Sequence, residues 1–396
     1  MKKLTENVFW VGATDWKVRN FHGYELSTHR GTSYNAYLIK DEKTVLIDTV
    51  WEPLTDRFME NLQEVVDIST IDYVVVNHAE PDHSGALPVI MEYIPNATVI
   101  VSKKGEESVK KYYFKDWNFK VVSTGDKINI GKNDLIFIEA TMLHWPDSMF
   151  TYLTGENILF SNDAFGQHYA SSGIFNDEVD EAEVYQEALK YYANILTPFS
   201  KLVTKKIEEI KKCNLPVNMI APSHGIIWRE NPLQIIEQYE KWAEGESENS
   251  VVIVYNSMWG ATHKMAEMIG KGIGRQGVKY KIFNSAKADR NDILAEVFKS
   301  KGIILGSSTV NNGILGTLTP IVDEIMGLKF MNKVGAAFGS YGWSGESPKL
   351  LEKHLEKCGI KVIQEAMKVK YMPSEEETKA CIEFGKDFAQ KMLKNA

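Results

Sequence analysis

Five short apolar runs govern what the last part of this chain can become. They lie at 251–255, 279–283, 302–306, 334–338 and roughly 361–371, and helical patterns such as Thr262 to Arg275 and Asp289 to Lys299 separate them. Continuous apolar runs of this length fit buried strands. Strands that alternate with helices build a parallel sheet covered on both faces. A doubly wound, five-stranded parallel sheet is therefore expected for 251–396. In such sheets ligands bind in the loops beyond the carboxyl ends of the strands, which directs attention to three loops considered below.

Just before the first run stands Glu244-Gly-Glu-Ser-Glu-Asn-Ser250, with nothing large and apolar in it. It reads as a solvated linker, and it divides the chain into a first domain, 1–246, and a second, 251–396. The first is a mixture of short strands (Val8–Val11, Asn35–Ile39, Thr44–Asp48, Tyr73–Val76, Thr98–Val101, Leu135–Ile138) with helical stretches at Leu54–Val66 and Leu87–Tyr93. No internal repeat is visible.

Charge divides with the domains. The net of −8 conceals −14 over residues 1–250 and +6 from Val251 onward. The lysines of the second part are scattered, without a basic run interleaved with aromatics, which excludes a nucleic-acid-binding pattern. No run of 18 apolar residues spans a membrane. The start, MKKLTENVFW, lacks the apolar core of a secretory signal. Cys213, Cys358 and Cys381 are isolated, with no CxxC among the 396 residues. They fit a reducing cytoplasm and offer no thiolate iron–sulfur site.

The sharpest chemical feature is Asn77-His-Ala-Glu-Pro-Asp-His83, directly after the strand run Tyr73–Val76. Four possible ligands, His78, Glu80, Asp82 and His83, fall within six residues. A loop can turn all four toward one point, whereas a helix or a strand cannot. Three more follow later strand-like runs: His144 in LHWPDS, Asp163 in FSNDAFG and His224 in APSHGIIW. A lone histidine near a turn is usually a hydrogen-bonded loop residue. Three carboxylates beside four imidazoles are different, because burying them together is costly without a cation. Glu80 adds a carboxylate between the loop's two histidines. The extra carboxylate hardens the site and favours iron or manganese over zinc. A carboxylate such as Asp163 can hold two metals together, roughly 3.5–4 Å apart.

The second constellation is a set of loops. Ser257-Met258-Trp259-Gly260-Ala261-Thr262 follows the first strand of the second domain and leads into a helix. Small residues, hydroxyls and a helix N-terminus there suit a phosphate. Neither GK[ST] nor GxGxxG occurs in this loop. Ser307-Ser308-Thr309-Val310-Asn311-Asn312-Gly313 follows the third strand, and Ser340-Tyr341-Gly342-Trp343-Ser344-Gly345 the fourth. Glycines permit close approach of a flat ring; Tyr341 or Trp343 can stack on it.

The second domain resembles flavodoxin, which holds FMN in three loops of this kind. The first resembles the metallo-β-lactamase fold, whose loop reads HxHxDH, in the diiron branch that reads HxExDH. The two in this order resemble the flavodiiron proteins, or A-type flavoproteins, over essentially the whole chain. STHRGTSYNAYLI, NHAEPDHSG, LHWPDSMFTY, SNDAFGQH, APSHGIIW and FGSYGWSG all carry the likeness. The resemblance implies an αββα sandwich followed by a flavodoxin-like sheet, FMN, and a non-haem pair of irons. It implies that His78, Glu80 and His144 hold one iron, that Asp82, His83 and His224 hold the other, and that Asp163 bridges them.

The implied reaction is reduction of dioxygen to water, of nitric oxide to nitrous oxide, or both. Two irons and one FMN hold the four electrons that dioxygen requires. The implied donor is external: rubredoxin or a reduced deazaflavin coenzyme. The implied assembly is a head-to-tail dimer, or a dimer of such dimers, with each flavin beside its partner's irons. The implied setting is the cytoplasm of an anaerobe that removes oxygen or nitric oxide. His22 and His168 are candidates for proton delivery or for hydrogen bonding to ligands. Rival readings are a zinc hydrolase carrying a flavodoxin and an electron carrier whose first domain only docks.

Overall fold

In the computed structural model, which describes residues 1–394, the chain forms two compact units. The first comprises Met1–Tyr191 and Phe199–Glu240, and the second comprises Tyr192–Pro198 and the chain from Lys241 onward. Among the described residues no helix is long and apolar enough to cross a membrane.

The first unit is built on two sheets. One has seven strands, running in space Lys2–Lys3, Val8–Trp10, Tyr37–Lys40, Thr44–Ile47, Ile71–Val76, Thr98–Ser102 and Asn118–Val122. The other has five: Lys127–Asn129, Asp134–Glu139, Met149–Leu153, Ile158–Asn162 and Met219–Pro222. Val8, Tyr37, Ile47, Val75 and Ile100 from the first sheet share one buried cluster with Phe137, Met149 and Phe160 from the second. Two inward faces closing on a single core make a sandwich. The chain gains its stability here from apolar area removed from water.

The second unit is a parallel sheet in the spatial order Lys279–Asn284, Glu248–Asn256, Ser300–Ser308, Val334–Tyr341, then the last strand position. That position holds two short strands, Lys361–Val362 and Met367–Lys370, instead of the single run expected at 361–371. The break has a local cause: Ala366 N–H is diverted to the carboxylate of Glu352 at 2.5 Å. The helix Ala261–Gly274 covers one face and packs with the C-terminal helix Glu375–Lys394, where Gly272 and Gly385 leave no room for a Cβ.

Two other expectations shift. The run 244–250 is less of a linker than its composition suggests. The strand already begins at Glu248, Ser250 is buried, and its hydroxyl donates to Ser300 Oγ at 3.1 Å. Tyr192–Pro198 packs with the second unit through Tyr192, whose ring lies 5.3 Å from Trp242 and 5.6 Å from Phe298.

Candidate functional site

Strand ends deliver the metal-binding candidates. Strand Ile71–Val76 runs straight into Asn77 and His78. Glu80 then precedes a single helical turn, Pro81–Ser84, which carries Asp82 and His83. The segment therefore combines loop and helix: the loop expected throughout gives way to a turn that Pro81 starts at its first position. His144 follows strand Asp134–Glu139, Asp163 follows Ile158–Asn162, and His224 follows Met219–Pro222. Next to His224, Gly225 has φ +72°, and a Cβ there would strike Gln167.

All seven residues converge. His78, Glu80, His144 and Asp163 form one group of ligand atoms lying within 4.8 Å of one another; Asp82, His83 and His224 form a second. Every histidine turns Nε2 inward. His78 Nε2 lies 3.1 Å from Glu80 Oε2, and His144 Nε2 lies 3.7 Å from the same oxygen. His83 Nε2 is 3.1 Å and His224 Nε2 3.0 Å from Asp82 Oδ2. Asp163 divides its oxygens between the groups. Oδ2 faces His78 and His144 at 3.8 and 3.6 Å, while Oδ1 faces His83 and His224 at 3.0 and 3.7 Å.

Electrostatics follow from this packing. Burial opposes charge on His83, but Asp82 and Asp163 outweigh it and lift the imidazole to about 9. Burial likewise opposes charge on His78, yet Asp147 and Glu80 raise it well above its ordinary value. Burial would raise Asp163, but the surrounding histidines, His83 foremost, hold its carboxyl well below the usual range. His144 is shifted down by burial. At His78 and His83 the neighbouring carboxylates thus favour the charged ring over the desolvation that opposes it.

The fit to metal rests on atoms this network leaves over. Asp82 Oδ1 and Asp163 Oδ2 are buried without a hydrogen-bond partner. Buried carboxylate oxygens are rarely left so, and imidazole with carboxylate is a donor set for iron.

Sequence reasoning missed what orients these groups. Asp147 Oδ2 meets His78 Nδ1 at 3.1 Å and accepts from Ala79 N–H at 2.7 Å. It stood in the quoted stretch LHWPDS, and its carboxylate three residues after His144 was the available signal. His224 Nδ1 lies 2.7 Å from the carbonyl of Ser33. Asn77 donates from N and Nδ2 to Asp48 at 2.7 and 3.1 Å and accepts from Thr151 Oγ1. Burial raises Asp48 to about 6 against the pull of His83. Such partners fix ring orientation in metal sites.

Of the two further histidines, His22 Nε2 lies 2.9 Å from Glu80 Oε1, at the tip of a two-stranded ribbon, Asn20–Phe21 and Leu26–Ser27. His168 is fully enclosed. Its Nδ1 meets Thr32 Oγ1 at 2.9 Å, its ring lies 4.8 Å from His224, and burial pushes its imidazole well below the ordinary range.

In the second unit, the three predicted loops lie at the carboxyl ends of Glu248–Asn256, Ser300–Ser308 and Val334–Tyr341. Gly260, at φ +87°, starts the helix that follows the first loop. Trp259 and Trp343 are 89% and 98% exposed, with Met258 at 54%. Tyr341, Gly342, Ser344 and Gly345 are half-buried, as are Ser257, Ala261, Thr309, Val310 and Gly313; Asn311 and Asn312 are exposed. Thr262, Ser307, Ser308 and Ser340 are buried. Large rings standing free beside small residues at one sheet edge fit a flat aromatic cofactor.

Comparisons with known proteins agree along the chain. Residues 32–225 match the family described as ODP family beta lactamase, and 253–385 match flavodoxin. The chain is 48% identical to the nitric oxide reductase of Moorella thermoacetica, covering 98% of both. It is 51% identical to the anaerobic nitric oxide reductase flavorubredoxin of Vibrio vulnificus, covering 98% of this chain and 79% of that one. Among solved structures, rubredoxin oxygen:oxidoreductase from Desulfovibrio gigas superimposes with TM-score 0.96 at 36% identity, covering 100% and 99% of the two chains. The flavodiiron protein of Giardia intestinalis gives TM-score 0.95 at 32% identity, covering 100% and 97%.

Proposed function

The chain belongs to the flavodiiron protein family, and from that premise we propose that it reduces nitric oxide to nitrous oxide, and dioxygen to water, at a pair of irons fed by FMN. It is an FMN- and diiron-dependent oxidoreductase. The observation that carries the reading is Asp163, which turns one oxygen to each of two histidine and carboxylate groups.

In this reading residues 1–246 are the iron-binding domain and 251–396 the flavin domain. His78, Glu80 and His144 hold one iron, Asp82, His83 and His224 the other, and Asp163 both. When bound, the irons supply electrons and Lewis acidity, and FMN supplies further electrons.

The chain's own residues prepare the place for that chemistry. Asp147 holds His78 with Nε2 inward, and the Ser33 carbonyl does the same for His224. Phe21, Tyr34 and Tyr191 pack around His224, with ring centroids 5.6, 5.7 and 6.4 Å from it, and keep that side dry. His22 touches Glu80 from a ribbon at the edge of the site, where its imidazole can hold a proton at Nε2. The three loops of the second domain take the FMN, with Trp259 and Trp343 free to cover its ring.

Electrons come from an external one-electron carrier of rubredoxin type, or from a reduced deazaflavin coenzyme. The working assembly is a head-to-tail homodimer in the cytoplasm of an anaerobe, where the enzyme removes nitric oxide or oxygen. The opposite net charges of residues 1–250 and 251–396 support antiparallel docking of the two domains.

The test uses purified chain loaded with FMN and iron, reduced without oxygen, and mixed separately with nitric oxide and dioxygen. Nitrous oxide and water should form. Consumption of dioxygen alone removes nitric oxide from the reading, and consumption of neither ends it.

A further inference from the structure

One helix touches the metal site at both of its ends. Helix Lys103–Tyr113 is capped by Ser102, whose Oγ accepts from Gly105 N–H at 3.0 Å and donates to the carbonyl of Asp147 at 2.8 Å. Its last residue, Tyr113, brings its hydroxyl to 2.6 Å from Ser84 Oγ. Between these ends a chain of hydrogen bonds crosses the site. Asp147 Oδ2 accepts from Ala79 N–H at 2.7 Å, and Ser84 Oγ donates to the carbonyls of Ala79 and Glu80 at 2.8 and 2.9 Å. Ser102, Asp147, Ala79, Ser84 and Tyr113 thus close a ring through the helix.

Proton counting sets the direction of the chain. A serine hydroxyl has one proton. Two carbonyls already compete for that of Ser84, so the phenol supplies the proton at the third contact. Burial pushes the Tyr113 hydroxyl up to about 12, which keeps it protonated at neutral pH. Each member of such a chain polarises the next, and this one ends on the backbone that carries Glu80. The Glu80 carbonyl also accepts from His83 N–H at 2.9 Å and from Ser84 N–H at 3.0 Å. Ala79 and Ser84 are fully buried, so bulk water does not replace a partner lost there.

We propose that Tyr113 is a positioning residue for Glu80: through Ser84 its hydroxyl fixes the backbone from which that carboxylate reaches the His78 group. The proposal rests on the iron reading above. The ring holds Ala79 from two sides, at its N–H through Asp147 and at its carbonyl through Ser84. Without the phenol the tie between helix and turn is cut, and Ser84 is free to rotate away from both carbonyls. Glu80 then meets His78 less often in the geometry that a metal needs.

The experiment titrates ferrous iron, without oxygen, into the full-length apoprotein in wild type, Tyr113→Phe, Ser84→Ala and the double variant. Phenylalanine keeps the ring at position 113, whose centroid lies 6.1 Å from both Tyr112 and Trp117. Tyr113→Phe should weaken iron binding about fivefold, Ser84→Ala at least as much, and the double variant no more than Ser84→Ala alone. Amide exchange on the metal-free chain, read by mass spectrometry, should quicken over residues 79–84 in both single variants. Unchanged iron affinity in Tyr113→Phe overturns the proposal whatever happens to the denaturation midpoint, because Tyr113 then serves only the fold; additive losses in the double variant overturn it too. If Ser84→Ala does not fold, iron affinity and exchange in Tyr113→Phe decide alone. A wild-type chain that takes up no iron overturns the iron reading instead. Exchange then judges the tie by itself: faster exchange over 79–84 in Tyr113→Phe upholds it, and unchanged exchange overturns it.

Discussion

The metal centre and the flavin cradle solve opposite problems. The first packs seven ionisable side chains where little water reaches, and neutralises them against one another: imidazole faces carboxylate at every short contact. The second has hardly a charge in its three loops; it is made of backbone, hydroxyls and two tryptophans left in the open. In the first, chemistry resides in the identity of each side chain, and one change unbalances its neighbours. In the second, it resides in loop backbone, hydroxyls and exposed rings with no charged side chain among them.

The hardest blow to the metal centre is Asp163→Ala. It strips both groups of their shared carboxylate and removes one of the charges that compensate His83 and His78. Turnover and bound iron should both fall by more than about a hundredfold, beyond the usual effect of a ligand's supporting partner. Metal analysis after gel filtration reads the outcome. Retention of both irons would show that the groups do not depend on one another.

Asp147→Ala should be milder and one-sided. It frees His78 to rotate but leaves the His224–Ser33 contact intact. About a 10- to 100-fold loss of metal affinity is expected, confined to the group that contains His78. Equal loss of both irons would remove the distinction between the two groups.

The flavin unit has a buried charge problem of its own at Lys333, and it is solved differently. Lys333 is 5% exposed, donates to the carbonyl of Phe298, and is driven by burial down to about 7. An unfolded lysine keeps its proton to about 10.4. Between these values the unfolded chain binds the extra proton, so the second unit should gain stability as pH rises from about 7 toward 10, by roughly 1 kcal/mol per unit. Below pH 7 the burial penalty is present in full. Lys333→Met should raise stability at neutral pH and flatten the slope, as denaturant titrations at several pH values will show. An unchanged slope would mean the ammonium is not desolvated.

Smallest and most diffuse is the effect of salt. A basic flavin domain that attracts an acidic carrier should accept its electrons more slowly as ionic strength rises. Rates of FMN reduction by reduced rubredoxin in stopped flow, compared with those by dithionite, measure this. Equal salt dependence for both reductants would discount steering.

How far the sequence could be read differs between the same two regions. The seven metal-binding candidates were legible because histidines and carboxylates of this density have few other reasons to cluster. Their partners were not. Ser33 lies 191 positions from His224, and Asp48 reaches Asn77 only because adjacent strands pair. The helical turn at Pro81–Ser84 was also hidden, since four residues give no periodicity to detect. In the flavin domain the apolar runs marked the strands and their order marked the loops. The split of the last strand escaped because Glu352 acts on it from the preceding helix, 14 positions before Ala366. Thr262 was legible as a cradle hydroxyl at a helix start; its contacts with Ser308 and Ser340, from two later strand ends, were not.

The central claim is that Asp163 joins two metal positions into one diiron centre. Mössbauer spectroscopy of the chain loaded without oxygen with iron-57, with iron counted on the same sample, tests it most directly. Two irons per chain, magnetically coupled after oxidation, are predicted. A single iron, or two irons with no coupling, would contradict it.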